Sequence, residues 1–239
     1  MNMNNFTTSL TRNFRKLGAL TLFSMGTLLV QSCSKNEVQQ QEVAFLNITN
    51  TSPTTGTFNI YVDQTKTNTQ GAVDFGGTLG YMRLTPGNHS VKFTTASSTE
   101  SLITKNVTLE ANTANSLFLI DRGTNLDFLT IKDELGNVTS TKAFIRFINL
   151  SPGAPAFNLA VKDGNVIVSD KAYKASSAFI EVEAKSYVLE IKDKATSETK
   201  VTLESFEFKA GKSYTVIATG LLEPSDAERS LGSKIITNQ

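Results

Sequence analysis

From residue 43 onward the chain alternates apolar and polar positions with a period of two. Phe58, Ile60 and Val62 alternate with Asn59, Tyr61 and Asp63, and Tyr187, Leu189 and Ile191 alternate with Val188, Glu190 and Lys192. Successive side chains of a strand point to opposite faces, so one set is expected on a buried face and the other nearer solvent. Such runs recur about every 8 to 15 residues, divided by turn residues such as Thr85-Pro86-Gly87-Asn88 and Asp163-Gly164-Asn165. The pattern predicts an all-β chain with roughly seven strands in each hundred residues, which suits antiparallel β-sandwiches. Lys234-Ile235-Ile236-Thr237 reads as the last strand, after a polar loop from Glu223 to Ser230.

The pattern occurs twice. Ser52-Pro53 followed by Phe58-Asn59-Ile60-Tyr61-Val62 returns as Ser151-Pro152 followed by Phe157-Asn158-Leu159-Ala160-Val161, 99 residues later. Phe75, Tyr81, Leu84, His89, Val91 and Phe93 match Tyr173, Phe179, Val182, Tyr187, Leu189 and Ile191 at an offset of 98, and Ser116-Leu117 matches Ser213-Tyr214 at 97. Matches that keep their order while the offset drifts by single residues imply a duplicated module with loop changes. Two tandem sandwiches are therefore expected, immunoglobulin-like or transthyretin-like, over residues 43–132 and 143–239, with 133–142 as linker around Gly136-Asn137.

The first 42 residues follow a different rule. Arg12, Arg15 and Lys16, with no acid nearby, precede the apolar run Leu17–Val30 and then Gln31-Ser32-Cys33. That run spans 14 residues, short of the roughly 20 that cross a bilayer as a helix, and reads as the core of a secretory signal over residues 1–32. Val30-Gln31-Ser32-Cys33 resembles a bacterial lipobox. The resemblance implies attachment of diacylglycerol to the Cys33 thiol as a thioether, cleavage between Ser32 and Cys33 and acylation of the new amino terminus, with fatty acids of the palmitate type tethering the protein to a membrane. Ordinary secretory cleavage would instead leave that thiol free. Two or more chains hold a protein stably, each buried methylene adding about 0.8 kcal/mol. Cys33 is the only cysteine, so no disulfide can form within the chain. Residues 33–42 are a polar tether without apolar periodicity. Ser34-Lys35-Asn36-Glu37 resembles the surface-export signal of Bacteroidetes-type lipoproteins, which implies a lipid-anchored outer-membrane location with exposure at the cell surface.

Composition narrows the function. Removing residues 1–32 leaves 20 basic against 22 acidic residues, a net charge of about −2, which argues against nucleic acid as a partner. The single histidine, His89, has an aromatic counterpart in Tyr187 and reads as a packing residue rather than a metal ligand or catalytic base. Asp163-Gly164-Asn165 lacks the alternating acids and distal Glu of a calcium loop and reads as a hairpin turn. No metal site, cofactor site or catalytic constellation is expected. The acids Asp63, Asp74, Glu181 and Glu183 are available for paired-carboxylate hydrolysis, but Glu181 and Glu183 lie on one face of a predicted strand, where ordinary solvation is the simpler account.

Ser151-Pro152-Gly153-Ala154-Pro155-Ala156-Phe157-Asn158-Leu159 and Ala210-Gly211-Lys212-Ser213-Tyr214-Thr215-Val216 resemble the bacterial domain-of-unknown-function 4397 family. The first copy is the more divergent, with Thr54-Thr55-Gly56 in place of the Ala-Pro segment. Family members commonly carry Asp where this chain has Asn59 and Asn158. The resemblance implies secreted or lipid-anchored sandwich modules, often in tandem, without established enzymatic activity. The chain thus reads as a non-enzymatic cell-envelope protein that binds or adheres to a protein or polysaccharide; the alternative is a structural subunit or spacer of an outer-membrane assembly. The recurrent Ser52-Pro53 and Ser151-Pro152 loops and the outward-pointing Tyr61 are the candidate ligand-contacting residues.

Overall fold

The alternating runs form strands throughout the residues that the computed structural model describes, 41–238. The proposed signal segment, the Ser32–Cys33 cleavage site, the Cys33 lipidation site and nearly all of the tether lie outside them. The first half contains β1 (Ala44–Asn50), β2 (Phe58–Val62), β3 (Thr65–Lys66), β4 (Thr78–Leu84), β5 (Gly87–Thr95), β6 (Ile103–Leu109), β7 (Ala114–Ile120) and β8 (Asp127–Asp133), with one 3-10 turn at Gly123–Asn125. The second contains β9 (Lys142–Asn149), β10 (Phe157–Val161), β11 (Val166–Lys171), β12 (Ile180–Glu183), β13 (Ser186–Tyr187), β14 (Leu189–Asp193), β15 (Thr199–Thr202), β16 (Phe206–Glu207), β17 (Ser213–Thr219) and β18 (Gly232–Thr237). The count exceeds seven per half partly because β3, β13 and β16 are two-residue ladders with no periodicity to read.

Strand order repeats. The first half has sheets β4-β1-β7-β8 and β3-β2-β5-β6, and the second has β12-β9-β17-β18 and β11-β10-β14-β15, with β13-β16 as a small extra ladder. Each pair of large sheets closes on its own apolar cluster, around Leu46, Ile60, Phe93 and Leu117 in the first half and Ile145, Leu159, Ile191 and Val216 in the second. All neighbouring strands are antiparallel except β1 with β7 and β9 with β17, which are parallel. Alternation of side chains does not encode strand direction, and these pairs join the start of each half to its end, where a hairpin cannot reach.

The parallel pairs correct one part of the internal alignment. Asn50 lies opposite Leu119 and Asn149 opposite Ala218. Correspondingly, the Thr51 amide donates to the Leu119 carbonyl at 2.9 Å and the Leu150 amide to that of Ala218 at 2.7 Å. Strands β7 and β17 therefore correspond at an offset of 99, not the 97 suggested by Ser116-Leu117 and Ser213-Tyr214. A two-residue slip is one full strand period, so it preserves which residues face inward and leaves the apolar pattern undisturbed.

A second correction concerns solvent. The alternation predicts one wet face per sheet, yet β17 is buried at every position, as is all but the first residue of β7 and of β9. The reason is a third apolar cluster made of Phe118, Ile120, Ile148, Leu150, Ile217 and Ile236, with Leu129 and Ile131 packed against it. These residues occupy the faces of the two parallel-containing sheets that point away from their own cores, and they pack the sheets on one another. Residues 41–238 consequently belong to a single compact unit. The connection between β8 and β9 is held against the second half: the Gly136 amide donates to Ser213 Oγ at 3.0 Å, and a Cβ at Gly136 would lie 2.2 Å from the Phe144 ring.

Polar groups between the central sheets are satisfied by one another. Arg146, 2% exposed, pairs with Asp133 Oδ1 at 2.5 Å and donates from Nε to Thr215 Oγ1 at 2.8 Å and from Nη2 to Ser116 Oγ at 3.3 Å. Asp133 Oδ2 accepts from Tyr81 Oη at 2.5 Å and from Ser116 Oγ at 2.8 Å. Asn238 joins the network, donating to Tyr81 Oη at 2.9 Å and accepting from Thr215 Oγ1 at 2.6 Å. Burial and the neighbouring Asp133 carboxylate push the Tyr81 hydroxyl's pKa well up, keeping it a protonated donor.

Candidate functional site

The Ser-Pro loops are placed by the same chemistry in both halves. Asn50 Oδ1 accepts the Ser52 amide and Asn149 Oδ1 the Ser151 amide, each at 3.1 Å. The serine hydroxyls donate to the carbonyls of Asp121 and Gly220, both at 2.7 Å. Asn50 Nδ2 also donates to the Val73 carbonyl, and Asn149 Nδ2 to those of Pro155 and Lys171. Both serines are fully buried. The motif is an Asn-x-Ser-Pro corner that fastens the end of the first strand of each half to the end of its parallel partner, and its hydroxyls are already committed to main chain. Pro53 is buried under the loop between β17 and β18, its carbonyl accepting the Arg229 amide at 3.1 Å, whereas Pro152 is partly exposed.

Tyr61 stands elsewhere, on the outward face of the sheet β3-β2-β5-β6. It lies opposite Lys66 on β3 and Lys92 on β5, and Lys92 Nζ sits 4.3 Å from the centre of its ring. Beside it opens a cleft of about 570 Å³, lined by Asn59, Tyr61, Lys66 and the loop Ala96–Glu100. Asn59 explains why an amide suits this position. Its Nδ2 donates to the carbonyls of Thr95 and Ala96 while its Oδ1 accepts from Asn68 Nδ2 at 3.1 Å, and an aspartate could not donate to those carbonyls. The cleft floor is thus tied together by amides, with a half-buried aromatic ring and two lysines beside it. At the matching position of the second half Ala160 lies opposite Glu190 and Val166, so that face has no aromatic platform.

His89 is buried and both ring nitrogens are engaged, Nδ1 with Asp63 Oδ2 at 2.7 Å and Nε2 with the Thr85 carbonyl at 2.8 Å. Both partners are acceptors when Asp63 is ionised, so the ring is doubly protonated in this arrangement. Burial pulls the imidazole's pKa down, but the bonds to Asp63 and Thr85 and the charge of Asp63 outweigh it, and the net shift is upward. The hydrogen bond from His89 holds the Asp63 carboxyl below its ordinary range. Asp63 and Gln64, with φ of 47° and 68°, form the tight turn between β2 and β3, so the pair braces a hairpin. The connection between β10 and β11 is a longer hairpin over residues 162–165, and its positive φ falls on Asp163, at 55°, rather than on Gly164 or Asn165.

The remaining acids do not converge. Glu183 pairs with Lys142 and shares a face of the edge strand β12 with Glu181, while Asp63 and Asp74 belong to the first half. Among the described residues no group of three or more His, Cys, Asp or Glu is placed to hold a metal ion. Sequence reasoning singled out Tyr61 but missed Lys66, Lys92 and the Ala96–Glu100 loop. The cross-strand neighbours of Tyr61 follow only from register, which no local signal specifies. It also missed the Arg146–Asp133 pair, whose members sit at the edge of a presumed linker and within an apolar strand.

Residues 44–160 match the family described as Domain of unknown function (DUF4397). The match spans the whole first half and continues through β9 into β10. Among curated proteins none matches the chain. Similar solved structures include the Bacillus anthracis TIE protein, 15% identical, covering 75% of this chain and 34% of that one with a TM-score of 0.25. The chain therefore spans about a third of that protein's length. A family 26 carbohydrate-binding module of Eubacterium rectale Amy13K, solved with maltoheptaose, is 10% identical over 82% of this chain and 97% of that one, TM-score 0.25. Family 41 carbohydrate-binding modules from streptococcal virulence factors, recognising alpha-glucan, are 14% identical over 79% and 96%, TM-score 0.24. At such scores these likenesses say nothing of what this chain binds.

Proposed function

We propose that this chain is a non-enzymatic, lipid-anchored cell-envelope protein that binds polysaccharide through the outward face of its first half. Signal cleavage after Ser32 and acylation of Cys33 would anchor it in the outer membrane, and two tandem copies of the DUF4397 domain would follow the tether. The observation that carries the binding reading is the Tyr61 cleft. The Tyr61 ring, Lys66 and the polar Ala96–Glu100 loop border about 570 Å³ and combine apolar contact with hydrogen-bonding groups at an open surface, with Lys92 stacked on one face of the ring. A sugar ring offers the complement, with C–H groups on one face and hydroxyls at its rim. Of the acids weighed for hydrolysis, Asp63 and Asp74 belong to the first half and Glu181 and Glu183 to the second, which supports binding without turnover.

The test is titration of the full chain with neutral and uronate-bearing polysaccharides. Saturable binding that falls at least tenfold in Tyr61→Ala, with no change in the polysaccharide's chain length, supports the proposal. Binding unaffected by Tyr61→Ala, or release of shortened chains, overturns it. The spacer reading is favoured by one observation, the rigid packing of the central sheets. A stoichiometric neighbour crosslinked in intact cells, without polysaccharide binding, would select it.

A further inference from the structure

The two sandwiches differ at one mouth. In the first half, Leu119 on β7 lies opposite Phe128 on β8, and Phe128 packs into the core with its ring 5.1 Å from that of Phe93. An ion pair between Lys105 on β6 and Asp127 on β8 spans the two sheets over that point. The ladders of the second half place Ala218 opposite Ser233 in the corresponding position. By the same registers Ile191 stands for Phe93, Leu203 for Lys105 and Gly232 for Asp127. Every change removes volume or the covering ion pair. Where the first half is shut, the second has a cleft of about 500 Å³ bordered by Val201, Leu203, Glu204, Phe206, Ser233 and Ile235.

We infer that this cleft receives an aromatic side chain presented by a partner polypeptide. The first half supplies the template, since the same place in the same strand order is filled by a phenylalanine carried on a strand. The walls suit a ring: Val201, Leu203 and Ile235 are aliphatic, and Phe206 belongs to a cluster of tilted rings with Phe208 at 4.9 Å and Tyr214 at 5.5 Å. The volume exceeds that of one ring and leaves space for flanking residues. Among the described residues β15 and β18, which border the cleft, each pair with one strand only, so unpaired main-chain groups lie at its lip. Such edges accept an extended polypeptide. The inference concerns the half opposite Tyr61 and does not depend on polysaccharide binding there.

The experiment is a titration of the full chain, observed by NMR at the methyl groups of Val201, Leu203 and Ile235, with the capped tripeptide Ser-Phe-Ser as probe. Saturable shifts are expected, with affinity at least threefold above that of Ser-Leu-Ser. Two variants should close the mouth and weaken binding at least tenfold: Ser233→Phe, and Leu203→Lys combined with Gly232→Asp, which rebuilds the covering ion pair. Leu203 is itself a core residue, so Gly232→Asp alone is measured beside these two: a Cβ there meets nothing nearer than the Ser230 carbonyl at 4.0 Å, and its carboxylate at the mouth should weaken binding at least threefold. Tyr61→Ala should leave the shifts unchanged. Equal affinity for the leucine probe, persistence of the shifts in both closed variants, or binding of free toluene as tight as that of the tripeptide would overturn the inference.

Discussion

The central sheets and the outer sheets of this protein come from the same strand pattern but meet different surroundings. In the outer sheet β3-β2-β5-β6 one face closes the core and the other carries Tyr61, Lys66 and Lys92 toward solvent. Along the inner strands β7, β9 and β17 of the central sheets both faces are buried, one against the sandwich's own core and the other against the opposite central sheet. The comparison teaches that alternation marks the inward face reliably, while the second face is decided by what lies beyond it. It also shows where polar groups become structurally costly. Lysines on the outer face are solvated, whereas Arg146 between the central sheets is buried and must be matched by Asp133, Thr215 and Ser116.

The sharpest way to break this contrast is to remove one partner of the buried pair. Arg146→Met should destabilise the protein by about 3–5 kcal/mol in urea unfolding, because Asp133 is left as an uncompensated buried charge, whereas Arg146→Met with Asp133→Leu should recover most of the loss. A full recovery would mean that the pair sets the orientation of the central sheets rather than their stability. Truncating the apolar cluster comes next: Ile217→Ala should cost about 2–4 kcal/mol, and a loss below about 1 kcal/mol would show that the two sheets do not pack in solution as they do here. Ser151→Ala removes one buried corner hydroxyl and should cost about 1–2 kcal/mol, leaving the Gly220 carbonyl without its donor.

A smaller effect should depend on pH. The raised pKa of His89 means its contribution is fully present below about pH 6.5 and fades as pH rises through the folded-state value, while that of Asp63 fades as pH falls below about 4. The difference in melting temperature between the wild type and His89→Gln should therefore be larger at pH 5.5 than at pH 9, and an equal difference at both would mean the ring is neutral. The smallest effect belongs to the outer face. Tyr61→Ala should change stability by no more than about 0.5 kcal/mol while abolishing polysaccharide binding, so that any larger loss in unfolding would make Tyr61 a structural residue.

Much of this was legible along the chain. The strands around Phe58–Val62 and Leu189–Asp193, the hairpin turn at Asp163 and the equivalence of the Ser-Pro corners all follow from local period, turn chemistry and repetition. The Asn-x-Ser-Pro corner shows the limit of such reading. Its recurrence drew attention to Ser52 and Ser151 as candidate contacts, yet their hydroxyls are bonded to carbonyls 69 residues away in sequence, a distance that no local signal bridges. The site fared similarly: Tyr61 was recognisable as outward-facing, but its lysine neighbours depend on the pairing of three strands.

By itself the sequence determined an all-β chain, its alternating inward residues, its internal recurrence and the single cysteine that follows a signal-like segment, because each is a property of composition or of spacing within one strand or turn. Tertiary structure alone decided that β1 runs parallel to β7, that two central sheets share a dry interface with a buried arginine, and that one mouth is shut by Phe128 while its counterpart at Ser233 stands open. Those outcomes depend on which strands become neighbours, and a period of two records the face a residue takes without recording what lies against it.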